Sequence, residues 1–255
     1  MTTVASWNVN SLKVRMPHLG DWLGANPVDV IGLQETKLTD ENFPQGELEA
    51  LGYHVLRAGQ KTYNGVALLS RQPITDVLTD LDGLDDPQRR VAIGTSGGIR
   101  YLNLYVPNGQ AVGSEKYDYK LRWLEALHRT LQRELAAHSQ VVVMGDFNIA
   151  PDDRDVHDPA AWAGQILCSE AERGALQGLL ALGLVDSFRL FEQPPASFSW
   201  WDYRQAGFRR NLGLRIDLIL ASSALQGACR SSTVDTAPRK LERPSDHAPV
   251  VARFE

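Results

Sequence analysis

The sequence of 255 residues has few cysteines, no long apolar run and no excess of basic residues. Its two cysteines, Cys168 and Cys229, form no Cys-x-x-Cys pair, and we expect both to be unpaired thiols in a reducing compartment. No apolar run approaches the length of a membrane span, and Met1 leads directly into a strand-like pattern without a secretory signal. These absences argue against a disulfide scaffold or a membrane protein, and they predict a cytoplasmic protein.

The charge balance is acidic, with 26 lysines and arginines against 31 aspartates and glutamates and a net charge of −5. A nucleic-acid-binding protein is usually basic on at least one face. A cluster of carboxylates that binds a metal ion adds negative charge, however, and the bound ion offsets that charge locally. The acidic balance therefore counts against nucleic-acid binding without excluding an enzyme that acts on nucleic acid.

Short apolar runs outnumber helical patterns along the chain, and no repeat or linker divides it. The predicted strands are 4–9, 28–34, 65–70, 91–95, 99–106, 140–145, 215–221 and 248–254. Helices are predicted around 19–23, over 116–137 and from a capping box at Ser169 to Gly183. Because the strands do not alternate one for one with helices, the pattern favours packed sheets with helices outside them.

Polar side chains lie at or next to the ends of the predicted strands. They are Asn8, Asn10, Glu35, Asp146, Asn148, Asp246 and His247, together with Asp217 inside an apolar run. A buried charge such as that of Asp217 is costly unless it is paired or bound to metal. An ion pair with Arg215 is the structural alternative, but the two residues have the same strand parity and share a face. A functional role for Asp217 is therefore favoured.

The other residues have ordinary structural interpretations when each is taken singly. Asp146 and Asn148 suit a turn, Glu35 suits a solvated strand end, and Asp246 and His247 suit a turn before a strand. Together they supply hard oxygen ligands for Mg²⁺ or Mn²⁺ and one imidazole. Hydrolysis of a phosphodiester needs a cation, a base for the attacking water and donors to the phosphate oxygens. The composition of the set therefore predicts metal-dependent phosphodiester hydrolysis.

An ordered series of motifs spans residues 4–254. It comprises 8–12 (NVNSL), 33–37 (LQETK), 65–69 (GVALL), 103–109 (NLYVPNG), 145–151 (GDFNIAP), 200–204 (WWDYR), 214–217 (LRID) and 245–249 (SDHAP). The whole chain resembles the exonuclease III family of class II abasic-site endonucleases, within the endonuclease/exonuclease/phosphatase superfamily.

The resemblance implies one DNase I-like domain over residues 1–255, an α+β four-layer αββα sandwich of two mixed β-sheets packed face to face. It also implies a monomeric DNA-repair nuclease that needs Mg²⁺ or Mn²⁺. Such an enzyme hydrolyses the phosphodiester 5′ to abasic sites in double-stranded DNA, with 3′→5′ exonuclease activity and trimming of 3′ ends.

The resemblance also assigns roles at the site. Glu35 would be the principal metal ligand, with Asn8 and Asp246 completing that side. Asp146 would be the general base for the attacking water, oriented by Asn148. The remaining catalytic residues would be His247, held by Asp217 against the scissile phosphate, and Tyr105, which would contact the phosphate or assist the leaving oxygen. A carboxylate beside an imidazole favours its charged form and fixes its orientation.

Two further groups of residues would select the substrate. The pocket for a flipped-out sugar without a base would be Trp200, Leu214 and Ile216, and such a sugar costs less to unstack than a normal nucleotide. Trp200 and Trp201 are core residues in the structural alternative, but alternation places them on opposite faces. The candidate DNA contacts are Asn10, Lys61, Tyr63, Gln110, Lys120, Arg122 and Arg204, for which solvated surface polarity is the alternative.

Two other functions stay open at this point. A phosphodiesterase or phosphatase of the same superfamily acting on RNA or lipids is disfavoured by Tyr105, because such members usually carry a histidine there. A DNA-binding relative without catalysis would lack at least one of the catalytic residues, and all of them are present here.

Overall fold

A computed structural model describes all 255 residues. Its strands are β1 (Thr2–Asn8), β2 (Val30–Gln34), β3 (His54–Ala58), β4 (Val66–Ser70), β5 (Thr75–Leu78), β6 (Val91–Ser96), β7 (Ile99–Tyr105), β8 (Val141–Asp146), β9 (Leu184–Asp186), β10 (Trp200–Trp201), β11 (Gly213–Leu214), β12 (Asp217–Ser222), β13 (Cys229–Val234) and β14 (Val250–Phe254). The α-helices are α1 (Leu12–Ala25), α2 (Gln45–Ala50), α3 (Glu115–Ala137), α4 (Pro159–Trp162), α5 (Glu170–Ala181) and α6 (Ser223–Gln226). None of these helices combines the length and apolar character needed to span a membrane.

Twelve of the strands form two six-stranded sheets. The first has the order β13-β14-β1-β2-β4-β3 and the second has the order β5-β6-β7-β8-β12-β9. The pairs β1–β2 and β7–β8 are parallel and the others are antiparallel, so both sheets are mixed. β10 and β11 form a small separate ribbon.

Apolar side chains from both sheets fill the space between them, including Val4, Leu68, Val142 and Ile219. A second apolar cluster joins α1 to the outer face of the first sheet, and a third joins α3 and α5 to the outer face of the second. Burial of apolar surface on both faces of each sheet is the main stabilising term for such an arrangement. The predicted four-layer αββα sandwich is confirmed.

A polar ladder crosses the apolar space between the sheets near the carboxyl ends of the central strands. Gln34 Nε2 donates to Ser6 Oγ (2.9 Å) and to Asn103 Oδ1 (2.6 Å), while Asn103 Nδ2 donates to two carbonyls of the facing sheet. A Cβ on Gly32 would lie only 2.4 Å from Asn103 Oδ1. Buried polar groups need such partners, so the ladder fixes how the two sheets face each other.

Several local expectations need correction. The strand containing Asp217 begins at that residue instead of at Arg215, and the first helix is longer than its apolar stripe indicated. The sequence pattern did not predict strands β3, β5, β9, β10, β11 and β13. Four of these strands, β3, β5, β9 and β13, are edge strands of the two sheets. An edge strand has a neighbouring strand on one side only, and its alternation of apolar and polar residues is weak. Cys168 and Cys229 are buried and unpaired, as expected.

Candidate active site

The carboxyl ends of β1, β2, β7 and β8 meet at one edge of the sandwich. Asn8 is in register with Gln34 on the first sheet, and Asp146 is in register with Tyr105 and Asp217 on the second. The backbone turns sharply after these strands, with left-handed φ values at Asn10 (42°), Glu35 (51°) and Asn148 (48°). Such strained conformations concentrate at functional sites. Here they turn polar side chains from two sheets toward one cavity.

The cavity has a volume of about 190 Å³. The residues that line it are Glu35, Tyr105, Asn108, Asp146, Asn148, Leu167, Trp200, Ile216, Asp246 and His247. The catalytic, metal and pocket residues predicted from the sequence are therefore mostly brought together in one place. Of the rest, Asn8 and Asp217 lie just behind the lining residues, where they hydrogen-bond Asp146 and His247 respectively.

A buried histidine–aspartate pair lies at the floor of the cavity. His247 Nδ1 is 2.9 Å and 3.1 Å from the two carboxylate oxygens of Asp217. Ser199 Oγ donates to the same carboxylate (2.6 Å) and accepts the backbone N–H of Asp217. Arg215 instead pairs with Asp155 and Asp186 on another side, so the ion pair between Arg215 and Asp217 that was the structural alternative does not form.

This pairing determines the charge of His247. Burial alone would lower the pKa of His247, but the carboxylates of Asp217 and Asp146 outweigh burial and raise that pKa above its ordinary value. Nδ1 is engaged by Asp217, and Nε2 faces Asp146 with 3.7 Å between Nε2 and Oδ2. The imidazolium can therefore present a proton on Nε2 to an anion in the cavity.

Asp146 is the most deeply buried carboxylate of the cavity. Burial raises the pKa of Asp146, the negative charges of Asp217 and Glu35 add to the rise, and His247 opposes it. Its Oδ2 accepts from Asn8 Nδ2 (2.9 Å) and its Oδ1 accepts from the backbone N–H of Asn148 (2.9 Å). A raised pKa makes a carboxylate a better proton acceptor at neutral pH, which is the property of a general base.

Glu35 is another carboxylate that lines the cavity. One of its oxygens accepts from Asn8 Nδ2 (3.0 Å) and the other is 3.1 Å from Lys37 Nζ. The side-chain amide nitrogen of Asn8 has two N–H donors and thus donates to both carboxylates, and the side-chain oxygen of Asn8 accepts the backbone N–H of Asn10 (3.0 Å). Asn8 holds Glu35 and Asp146 at a fixed separation.

The donor set suits a hard divalent cation. Ligand atoms of Glu35, Asp146 and His247 lie within 4.8 Å of one another. A protonated His247 is a poor metal ligand. The available ligand atoms are therefore the carboxylate oxygens of Glu35 and Asp146, and Asp246 lines the same cavity. Clustered carboxylate oxygens match the preference of Mg²⁺ and Mn²⁺. The residues therefore fit such an ion, and carboxylates crowded this closely need a cation to bind an anionic substrate.

Tyr105 and two asparagines supply neutral donors to the cavity. Burial, together with Glu35 and Asp146, raises the pKa of Tyr105 well above its ordinary value, although Arg90 lies 4.7 Å from its ring centroid and opposes the rise. The phenol therefore keeps its proton at neutral pH. Asn108 was not predicted as a site residue, although it belongs to the motif that contains Tyr105. Its Nδ2 donates to Asn148 Oδ1 (3.1 Å).

One wall of the cavity is apolar and consists of Leu167, Trp200 and Ile216. Trp200 Nε1 donates to Asp246 Oδ2 (3.0 Å), and Trp201 is buried in a separate cluster, as alternation along the strand predicted. Leu214 does not line the cavity, which corrects its assignment to the pocket. It is completely buried beneath this wall, in the apolar cluster that it shares with Leu167 and Ile216.

The predicted DNA contacts do not lie together in the structure. Asn10 lies at the site, where its Nδ2 donates to Asp246 Oδ1 (2.9 Å). Tyr63 and Gln110 border a groove that continues outward from Tyr105. Lys61 lines a different groove.

The two predicted DNA contacts that lie on α3, Lys120 and Arg122, do not line the cavity. Lys120 is wrong as a DNA contact because its side chain is 0% exposed and pairs with Glu172. Arg122 is exposed, and it lies about 200° around the helix from Lys120 at about 100° per residue. Arg204 is also exposed and pairs with Asp202.

The chain is similar over its whole length to known nucleases. The model of the endonuclease/exonuclease/phosphatase family matches residues 5–247. Exodeoxyribonuclease III of Haemophilus influenzae is 38% identical, with 98% of each chain covered. The similarity covers every residue that lines the cavity described above.

Two solved structures share the fold in full. One is the 3′ phosphatase NExo from Neisseria, solved as a D146N variant bound to product DNA hairpin, with 48% identity, a TM-score of 0.98 and 100% of each chain covered. The other is an AP endonuclease from Archaeoglobus fulgidus, with 38% identity, a TM-score of 0.96 and 100% of each chain covered. The chain therefore belongs to the endonuclease/exonuclease/phosphatase family and is a hydrolase similar to exonuclease III and AP endonucleases.

Proposed function

We propose that this protein hydrolyses phosphodiester bonds in double-stranded DNA on the 5′ side of abasic sites and trims groups from 3′ ends. The observation that carries the proposal is the arrangement of Asp146, His247 and Glu35 around one small cavity that is also lined by apolar side chains. The carboxylates and the imidazolium suit the phosphate, and the apolar wall suits a sugar without a base. We further propose that the protein acts as a monomer.

Glu35 would hold Mg²⁺ or Mn²⁺, with Asn8 and Asp246 beside it. When bound, the ion supplies positive charge to the phosphate oxygens and so favours attack by water. Asp146 takes a proton from the attacking water, and the backbone N–H of Asn148 holds the carboxylate that does so.

The donors of the cavity stabilise the charge that develops on the phosphate. His247 presents the proton on Nε2, and Tyr105 presents a phenol that stays protonated. Such preorganised donors contribute most where water is excluded, and the loss of a single one typically costs about 10²–10³-fold in kcat. We assign the phenol a second role, which is to protonate the leaving oxygen, since it lines the same cavity.

The size of the cavity limits what can enter it. Its volume of about 190 Å³ is below the roughly 300–1,000 Å³ of sites that enclose drug-sized ligands. A phosphate or a sugar without a base is small enough for this space. The lower unstacking cost of a baseless nucleotide favours the same substrate.

Processing of 3′ ends alone is the second candidate function. It is favoured by the 48% identity to NExo, which is described as a 3′ phosphatase and a 3′-5′ exonuclease. Duplexes with an internal abasic analogue, a 3′-phosphate or an intact 3′ hydroxyl separate the candidates. Incision at the abasic analogue supports the full proposal, and phosphate release without incision supports the second candidate alone.

Replacing Trp200 by alanine is expected to reduce the preference for abasic over intact duplex DNA by about tenfold, since apolar contacts in such pockets are worth roughly 1–3 kcal/mol. The measurement is the ratio of kcat/KM values on the two duplexes. Trp162→Ala is the matched control, because Trp162 packs behind the same apolar wall without lining the cavity. An unchanged ratio in the Trp200 variant would contradict the assignment of the pocket.

A further inference from the structure

Lys120 is an unusual lysine, because its whole side chain is buried beside the catalytic loops. Its ammonium donates to the backbone carbonyls of Asn148 (2.6 Å) and Asn108 (3.2 Å) and to Glu172 Oε1. A lysine has three N–H donors, so every one of them has a partner. Two of the three partners belong to asparagines that line the cavity.

The two asparagines are connected to each other as well. Asn108 Nδ2 donates to Asn148 Oδ1 (3.1 Å), and Asn148 Nδ2 donates to the carbonyl of Val106 (3.0 Å). Asn148 also has a left-handed backbone, with φ 48°. Lys120 therefore connects the loop after β7 to the loop after β8 by hydrogen bonds to the backbone of each. The two residues that it contacts, Asn108 and Asn148, are those whose side chains line the cavity.

Glu172 extends this connection to the apolar wall. Its carboxylate completes the capping box of α5 with Ser169, and Oε1 also accepts the backbone N–H of Leu167 (3.1 Å). Leu167 lines the cavity and has a left-handed φ of 71°. One buried ion pair thus contacts both the asparagine side and the apolar side of the site.

The energetics of buried ion pairs point to a role in geometry. Removing an ammonium and a carboxylate from water costs more than a typical pair recovers, and apolar replacements of similar volume are often neutral or stabilising. Lys120 and Glu172 are therefore a weak source of stability for the fold. What the pair provides is a fixed position for the two loops.

We propose that Lys120 is a positioning residue, which holds Asn108 and Asn148 in the arrangement needed at the phosphate and is itself held by Glu172. The proposal rests on the proposed function, since it concerns the same cavity. It assigns Lys120 no contact with DNA and no part in proton transfer.

The test replaces the pair by neutral side chains of similar size, as Lys120→Met with Glu172→Gln. Glutamine keeps the capping box, and no buried charge is left without a partner. The matched control is Arg100→Met with Glu134→Gln. Arg100, at the start of β7, and Glu134 of α3 form another buried pair. Arg100 lies about 16 Å along β7 from Tyr105, at about 3.3 Å per residue.

With the duplex that the wild-type protein hydrolyses, kcat is expected to fall by about 10- to 10²-fold, because small misplacements of catalytic groups have effects of this size. KM is expected to change by less than about threefold, since binding of the DNA is largely retained. The control pair is expected to keep its kcat. Equal losses in the two paired variants would overturn the proposal, and so would an unchanged kcat in a folded Lys120 variant.

A second measurement separates positioning from a general loss of structure. In an Asn148→Ala background, the Lys120 and Glu172 substitutions should have little further effect on kcat, because residues that act through one another are not additive. A loss of the same factor in both backgrounds overturns the proposal. If the paired variant does not fold, Glu172→Gln alone takes its place, with the same expected dependence on Asn148. If the wild-type protein is inactive on every duplex, the proposed function is refuted. If the wild-type protein is active and the Lys120 and Glu172 substitutions leave kcat unchanged, only this inference is refuted.

Discussion

Replacing Asp146 by asparagine is expected to lower kcat by about 10²–10⁴-fold, the usual contribution of a general base. Asparagine has the same shape but cannot take a proton from water. The pKa of Asp146 is raised by burial, which means that burial disfavours the charged carboxylate. A neutral amide therefore meets no larger penalty, and the melting temperature should stay close to that of the wild-type protein.

Steady-state kinetics on abasic duplex DNA and thermal unfolding together check this result. Asp153→Asn serves as the control, because Asp153 is an exposed carboxylate that forms only a surface salt bridge with Arg173. Its kcat should be unchanged. Wild-type turnover in the Asp146 variant would show that another group accepts the proton.

Removing divalent metal with EDTA is expected to lower the rate by about 10²-fold or more, because a bound cation supplies several kcal/mol of charge stabilisation. Four carboxylates, those of Glu35, Asp146, Asp217 and Asp246, lie at or directly behind the cavity, with His247 as their buried cation. Without a further cation this region repels a phosphate. Addition of excess Mg²⁺ or Mn²⁺ should restore the rate.

The same EDTA, saturated with Mg²⁺ beforehand, is the control and should leave the rate unchanged. Undiminished hydrolysis in excess EDTA would contradict the assignment of Glu35 to a metal site. Glu35→Gln offers an independent check. In a titration with Mn²⁺, the Glu35→Gln variant should bind the ion more weakly than the wild-type protein, because one carboxylate ligand has lost its charge.

The core of the site could be predicted from the sequence because strand ends impose a strong geometric constraint. Asn8, Glu35 and Asp146 each follow an apolar run, and parallel strands bring such ends to the same edge of a sheet. A charge at Asp217 beside apolar residues needed a partner, and the structure provides His247. Local pattern and this physical rule singled out the residues, whereas their individual roles and the pairing of His247 with Asp217 were predicted from the resemblance to the exonuclease III family.

The errors concern residues whose environment depends on distant parts of the chain. Lys120 stands among polar residues at the start of α3, and the partner that buries it, Glu172, lies 52 residues away. Ser199, which positions Asp217, has no sequence signal beyond a short polar side chain. Leu214 and Ile216 belong to the same motif and have the same strand parity, so the sequence pattern does not distinguish Ile216, which lines the cavity, from Leu214, which is fully buried.

The most direct test of the central claim is incubation of a 5′-labelled duplex carrying one tetrahydrofuran abasic analogue with the protein and Mg²⁺, beside a matched intact duplex. A single cut immediately 5′ to the analogue, absent from the intact duplex and from reactions with EDTA, is the predicted result. Folded protein that leaves the abasic duplex uncut with both Mg²⁺ and Mn²⁺ would contradict it.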